Sequence, residues 1–201
     1  MRSLKASSVL VLLLALVGGR AFADSGVPIR AVWKEHRVEF TYLGRTSSYS
    51  CDGLIDKVRA LMTTLGARSR LHIVGIGCPE YGRPGGADSI GPSLSIRFFA
   101  PALPDAAQKS DRGDKLAPVD AAFVPFKIVP DAFRNMSVGD CELVEEFADR
   151  ILPLFTTRSV EKDITCVPYQ LSGSDYSLRG DVLQALPANE ARAARAAGSM
   201  R

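Results

Sequence analysis

The side chains able to do chemistry are few and regularly spaced. The chain has four cysteines and two histidines. Cys51 and Cys141 each stand where a helical pattern begins, and Cys78 and Cys166 each close the strand-like run that follows. A cysteine at a helix N-terminus can be an acidic, nucleophilic thiol. No C-x-x-C is present, however, and each such cysteine has a counterpart downstream. Two structural disulfides are therefore expected if the chain is exported. Four cysteines allow three pairings. No two of them are close enough for a C-x2-4-C knuckle, and only His36 and His72 could add nitrogen, so no metal is expected.

The remaining candidates are weaker. His36 and His72 lie on separate strand-like segments and read as surface or partly buried strand residues. Without a placed histidine, a Ser or Cys nucleophile lacks its usual base. Gly75-Ile76-Gly77 follows a strand-like run but lacks the third glycine and the following helix of a nucleotide site, and reads as a turn. Ala87-Asp88-Ser89-Ile90-Gly91 is not a nucleophile elbow. Asp140, Glu142, Glu145 and Glu146 crowd the start of the second helical pattern. They are either a carboxylate site or acids placed for the helix dipole. Asp111, Asp114 and Asp120 do not match a calcium loop. Asn135-Met136-Ser137 is a glycosylation sequon that matters only in a eukaryotic secretory route. Tyr42, Tyr49, Tyr81 and Trp33 are candidates for a binding face, with Trp33 read first as an anchor of the core or of a junction. The glycine-rich stretch 82–91 is either a ligand loop or plain surface. No catalytic, cofactor or metal residue is assigned.

These groups need elements to position them. Val32, Val38, Phe40 and Tyr42 alternate with polar residues and predict one strand over 31–42, broken near Glu35-His36. Leu54, Ile55, Val58, Leu61, Met62 and Leu65 have helical spacing ended by Gly66. Leu71–Ile76 and Ser93–Phe99 read as strands around a long loop, 79–92. Residues 100–118 are rich in Pro, Ala, Asp and Lys and read as a linker or exposed loop. Val119–Val129 is β-like, with Pro125 implying an edge strand or bulge. Asp140 is a plausible N-cap for a helix carrying Leu143, Val144, Phe147, Ile151, Leu154 and Phe155, which Pro153 should kink or end early. Val160–Cys166 and Leu178–Leu183 read as strands, and 188–201 as a flexible tail, either frayed helix or disorder.

A shift of ninety positions brings the halves into register: Trp33 meets Phe123, Cys51 meets Cys141, Leu61 meets Ile151 and Leu65 meets Phe155. The order strand, cysteine, helix, strand, cysteine, strand recurs whole. The expected fold is α+β, with two βαββ repeats (24–99 and 119–187) and two helices packed on a mainly antiparallel sheet. This repeat favours the pairings Cys51–Cys78 and Cys141–Cys166, one per repeat. Two small subdomains joined by 100–118 are the alternative.

Residues 1–23 have the anatomy of a signal peptide: Arg2 and Lys5, then the apolar run 9–17, then Ala21-Phe22-Ala23. Nine apolar residues are too few to span a bilayer, which takes about 20, so no stable membrane anchor is expected after cleavage. Of the 25 Lys and Arg, Arg2, Lys5 and Arg20 lie in this segment, leaving 22 against 22 Asp and Glu. That balance gives no support for nucleic-acid binding.

Ser50-Cys51-Asp52-Gly53-Leu54 through Leu65-Gly66-Ala67-Arg68, and Gly139-Asp140-Cys141-Glu142-Leu143-Val144 through Leu154-Phe155-Thr156-Thr157-Arg158, resemble stretches of uncharacterised exported proteins of Gram-negative bacteria. The resemblance implies a periplasmic or secreted setting and no particular activity. The functional expectation is a non-catalytic module that binds a protein, a peptide or a cell-envelope component, without a cofactor. The alternative is an envelope hydrolase whose residues converge from separate loops. A polar cleft holding a histidine beside an acid would favour the enzyme; an apolar groove or open sheet edge would favour binding.

Overall fold

The computed structural model describes residues 28–67, 71–76, 91–107, 117–131 and 136–191. Along them run β1 (Ile29–Thr41), α1 (Cys51–Thr64), β2 (His72–Ile76), β3 (Ser93–Ala102), α2 (Pro104–Ala107), β4 (Pro118–Ile128), α3 (Cys141–Arg150), β5 (Thr157–Thr165) and β6 (Asp175–Ala185). The strands form one six-stranded sheet in the order β2-β3-β1-β4-β6-β5, and every neighbouring pair is antiparallel. The fold is α+β.

The helices form where their apolar stripes can be buried. Leu54, Val58, Leu61 and Met62 of α1 are fully enclosed, and Leu143, Val144, Phe147 and Ala148 do the same for α3. Both stripes join one apolar cluster with Phe40, Leu94, Ile96, Phe98, Tyr176, Leu178 and Val182 from the strands. The Ser50 hydroxyl accepts the Gly53 N–H at 3.1 Å and caps α1. Gly66, at φ +90°, then turns the chain out. Gln184 of β6 packs against Gly66 and donates its amide N–H to the free Thr64 carbonyl at 2.9 Å. Pro153 ends the second helical pattern as expected: α3 stops at Arg150 and Leu152–Leu154 is a 3-10 turn.

The centre of the sheet is its narrowest ladder. β1 and β4 meet over only four residue pairs, from Ile29 opposite Ala121 to Val32 opposite Pro118. Ala31, Ala121 and Leu183 bury a small second cluster there with Ile29, Leu103, Val119 and Phe123. Trp33 lies at this junction, half-buried, with its backbone N–H on the Ala117 carbonyl at 3.0 Å and Pro101 as its cross-strand partner. Pro125 is in an interior strand of the sheet, not an edge strand. It lies beyond the four pairs with β1, where β6 is the only described partner.

Other expectations need correction. β1 is continuous through Glu35-His36, because β3 pairs with it without interruption from Val32 to Thr41. The stretch 100–118 is structured at both ends. β3 runs on to Ala102, α2 follows, and Pro118 already belongs to β4. Ala100 and Ala102 are buried; small side chains there fit a crowded sheet, and composition mistook them for a loop. In the tail, 188–191 form a helical turn. The signal segment, the stretch 77–90 with Cys78, and 192–201 lie outside the described residues.

β5 carries a register shift between Arg158 and Glu161, with Ser159 at φ +51°. Gly180 of β6 lies against it: a Cβ there would stand 3.1 Å from Val160 Cα and 3.2 Å from the Arg158 and Ser159 carbonyl oxygens. These are backbone atoms with little room to yield. Gly180→Ala should therefore lower stability by about 1–3 kcal/mol, read as a lower urea midpoint. An unchanged midpoint would mean that the bulge does not rest on this glycine.

Candidate functional site

The densest set of ionisable groups is where the loop after β1 crosses the start of α3. The chain enters α3 through the 3-10 turn Val138–Asp140. Asp140 is 2% exposed, and a buried carboxylate is tolerated only when paired and hydrogen-bonded. Tyr49 donates its hydroxyl to Oδ1. Lys57 Nζ of α1 lies 2.8 Å from Oδ1 and 2.9 Å from Oδ2. The Ser137 N–H and hydroxyl reach Oδ2 at 2.6 and 3.2 Å. Asp140 thus bonds back to Ser137 and across to α1, and its side chain caps no N–H of α3.

The neighbouring acids hold backbone. Glu142 Oε2 accepts the N–H groups of Arg45 and Thr46 at 2.6 and 2.8 Å, and Glu146 Oε1 accepts that of Leu43 at 3.0 Å. Ser47 donates to the Gly139 carbonyl at 2.6 Å. Glu142 and Glu146 both fasten the 43–46 loop to α3, and Glu142 also stands in the first turn, where the helix dipole favours an acid. The Cys141–Cys166 disulfide, with Cα atoms 5.6 Å apart, ties the first residue of α3 to the end of β5. Cys51 begins α1 and is not a free thiol.

Burial dominates the electrostatics here. It raises the phenol pKa values of Tyr42, Tyr49 and Tyr176, with the negative charges around Asp140 adding to the effect. Burial also raises Glu146, against the pull of the Leu43 N–H and Arg150. Tyr42 Oη and Glu146 Oε2 are buried without a hydrogen-bond partner among the described residues. The tyrosines are protonated at neutral pH, and the Asp140 carboxylate holds the Lys57 ammonium. The cluster fastens the loop before α1, and α1 itself, to the start of α3.

The histidines are on opposite faces of the sheet. His36 faces the core and stacks on Phe98 at 5.1 Å between ring centres. Burial, then the charge of Lys34, brings it down to about 4, so it is neutral at pH 7. His72 is exposed at the start of β2, opposite Arg97. A cavity of about 510 Å³ opens beside the β1–β4 junction, lined by Arg30, Val119, Asp120 and Leu186 among others, and holds no histidine. Among the described residues no group of three or more His, Cys, Asp or Glu side chains could hold a metal ion. Tyr42 and Tyr49 pack edge-on at 4.8 Å in or beside the core, so neither forms an exposed binding face. Gly77, Tyr81, Ser89, Asp111, Asp114 and Asn135 lie outside the described residues.

Sequence pattern alone did not single out β2. It is an end strand of the sheet, and β3 is its only described partner. Its outer face shows His72, Val74 and Ile76, with Val74 44% and Ile76 46% exposed. The opposite end strand, β5, is guarded by Arg158, Glu161, Lys162, Asp163 and its bulge. Charges and bulges are common protections of a sheet edge against added strands. β2 has neither. The alternation of Ile73 inward with Val74 and Ile76 outward was the available signal.

Tyr49→Phe should cost about 1–3 kcal/mol by leaving Asp140 short of a donor. In a double-mutant cycle with Asp140→Asn the two losses should be non-additive; simple additivity would break the link between them. Phenols whose folded pKa is raised contribute stability that is complete below about 10 and lost as pH rises through the folded values. Absorbance at 295 nm should therefore show Tyr42, Tyr49 and Tyr176 ionising only as the protein unfolds in alkali. Glu146 acts with the same sign at acid pH: its contribution is complete below the ordinary carboxylate range and is lost as pH rises through its raised value. Glu146→Gln should therefore flatten the fall in stability between acid and neutral pH.

No protein family, curated protein or solved structure matches the chain.

Proposed function

We propose that the chain is a non-catalytic binding module, periplasmic or secreted, that takes an extended polypeptide segment along the outer edge of β2. One observation carries this reading: the sheet ends in a short strand with no Asp, Glu, Lys or Arg, with two β-branched side chains exposed on its outer face. A strand edge offers a row of backbone donors and acceptors that suits an extended partner, and side-chain pockets add selectivity. The chemical groups that could have argued for hydrolysis are engaged elsewhere. Glu142 and Glu146 of α3 hold the 43–46 loop, Glu145 is exposed on the helix surface, and the histidines face opposite ways.

The proposed scaffold is a duplicated one. β1-α1-β2-β3 and β4-α3-β5-β6 follow the same order and occupy mirrored places about the β1–β4 ladder. A cysteine opens the helix of each half. On this basis the second bridge is Cys51–Cys78, closing a loop like the 25-residue separation of Cys141–Cys166. Each is worth about 3 kcal/mol in the chain-entropy model. Disulfides persist in oxidising compartments, which agrees with the signal-like segment and with the resemblance to exported bacterial proteins.

Two measurements test this. Peptide mapping without reductant should recover Cys51–Cys78; any pairing of Cys51 or Cys78 with another cysteine would end the two-copy reading. Selection from a displayed peptide library should enrich segments whose binding is lost in Val74→Lys and Ile76→Lys and kept in Glu161→Lys on the opposite edge. Failure to enrich any segment, or binding indifferent to the β2 changes, would remove the edge as the site.

A further inference from the structure

We infer that the β2 edge reads sequence: it prefers an antiparallel segment of the pattern apolar–x–apolar–x–acidic. This rests on the proposed binding at that edge.

The register fixes the order. On the outer face, His72, Val74 and Ile76 lie opposite Arg97, Ser95 and Ser93 of β3, which lie opposite Arg37, Glu39 and Thr41 of β1. One end of the edge is therefore backed by a cross-strand row His72–Arg97–Arg37, and the other by Ile76 and two hydroxyls. Ser93 and Thr41 bond each other at 2.8 Å. Arg97 and Arg37 share one carboxylate, Glu35, at 3.4 and 2.8 Å. Both guanidiniums remain more than half exposed. Glu35 and Glu39 both stand on β1, two strands from the edge. Arg97, on β3, is only one strand from the edge and so lies nearer to an added strand than either of those carboxylates.

Every strand pair in the sheet is antiparallel, and a segment added in the same sense meets Ile76 first, then Val74, then His72. Side chains directly opposite on one face of a sheet touch one another. Apolar residues opposite Ile76 and Val74 would cover their exposed surface. A carboxylate opposite His72 would lie toward Arg97, while an ammonium there would be repelled.

The probes are three blocked peptides measured by fluorescence anisotropy: Thr-Val-Thr-Val-Thr-Glu-Thr, its reversed sequence, and the first with Lys in place of Glu. The first should bind more tightly than the lysine peptide by about twofold, toward the low end for a cross-strand charge pair because Arg97 stands one strand beyond His72. It should also bind more tightly than the reversed peptide, and added salt should narrow the margin over the lysine peptide. Arg97→Gln should erase the acid preference, and Arg97→Glu should turn it toward lysine. The exposed position of Arg97 makes both variants compatible with folding, which thermal unfolding verifies. Equal binding of all three peptides, or a preference unmoved by Arg97→Glu, would overturn the sequence code and leave edge binding standing. No binding by any peptide, with Val74→Lys and wild type alike, would overturn both.

Discussion

The buried carboxylate of Asp140 is the interaction on which the arrangement of the two halves depends. It takes donors from α1, from the loop before α1 and from its own turn. Lys57 and Tyr49 belong to the first half of the chain and Asp140 to the second, 83 and 91 residues away. A carboxylate at that depth costs several kcal/mol if its partners leave, so the donors must arrive together with the fold. The need is plain from the sheet, where the halves meet through only four residue pairs. A ladder that short is a weak joint. The carboxylate and the shared apolar cluster of both helices make it a rigid one.

Local pattern made much of the architecture legible. The apolar spacing of α1 and α3, the stop at Gly66 and the early end before Pro153 follow from helix geometry and proline sterics acting within a few residues. The alternation of β1 gave a strand, but not its continuity through Glu35-His36, because cross-strand pairing with Phe99 and Phe98 is a non-local fact. The linker reading of 100–118 failed at its ends for the same reason. Alanine and proline look like loop in isolation, whereas Ala100 and Ala102 are what a tightly covered strand accepts. The fastening around Asp140 was invisible for a stronger reason. Nothing near Asp140 in sequence announces Tyr49 or Lys57, and an acid before a helix has an ordinary local explanation in the dipole.

The two ends of the sheet are a natural comparison, since both are formed by the same kind of strand in the same order. β5 places alternating charges along its length, two of them paired to β6 through Arg158–Asp181 and Arg179–Glu161, and adds a bulge. Those features discourage another strand. β2 has five residues, a single ionisable side chain at its start and two exposed β-branched residues. A chain that needed protection at both ends would be expected to guard both. That asymmetry is what places the proposed partner on β2 and not on β5.

Chemical capacity and chemical availability part company in this molecule. The corner richest in acids, phenols and a lysine resembles a reaction centre in composition alone. Asp140, Glu142 and Glu146 already accept hydrogen bonds from the chain, and burial keeps the phenols protonated. A reacting group must exchange its partners for substrate, and here such an exchange would loosen the joint between the halves. The groups that can change partners without that penalty are backbone amides and carbonyls at a sheet edge, which water satisfies until a strand arrives. The proposed recognition of an extended partner at the β2 edge would leave that fastening intact.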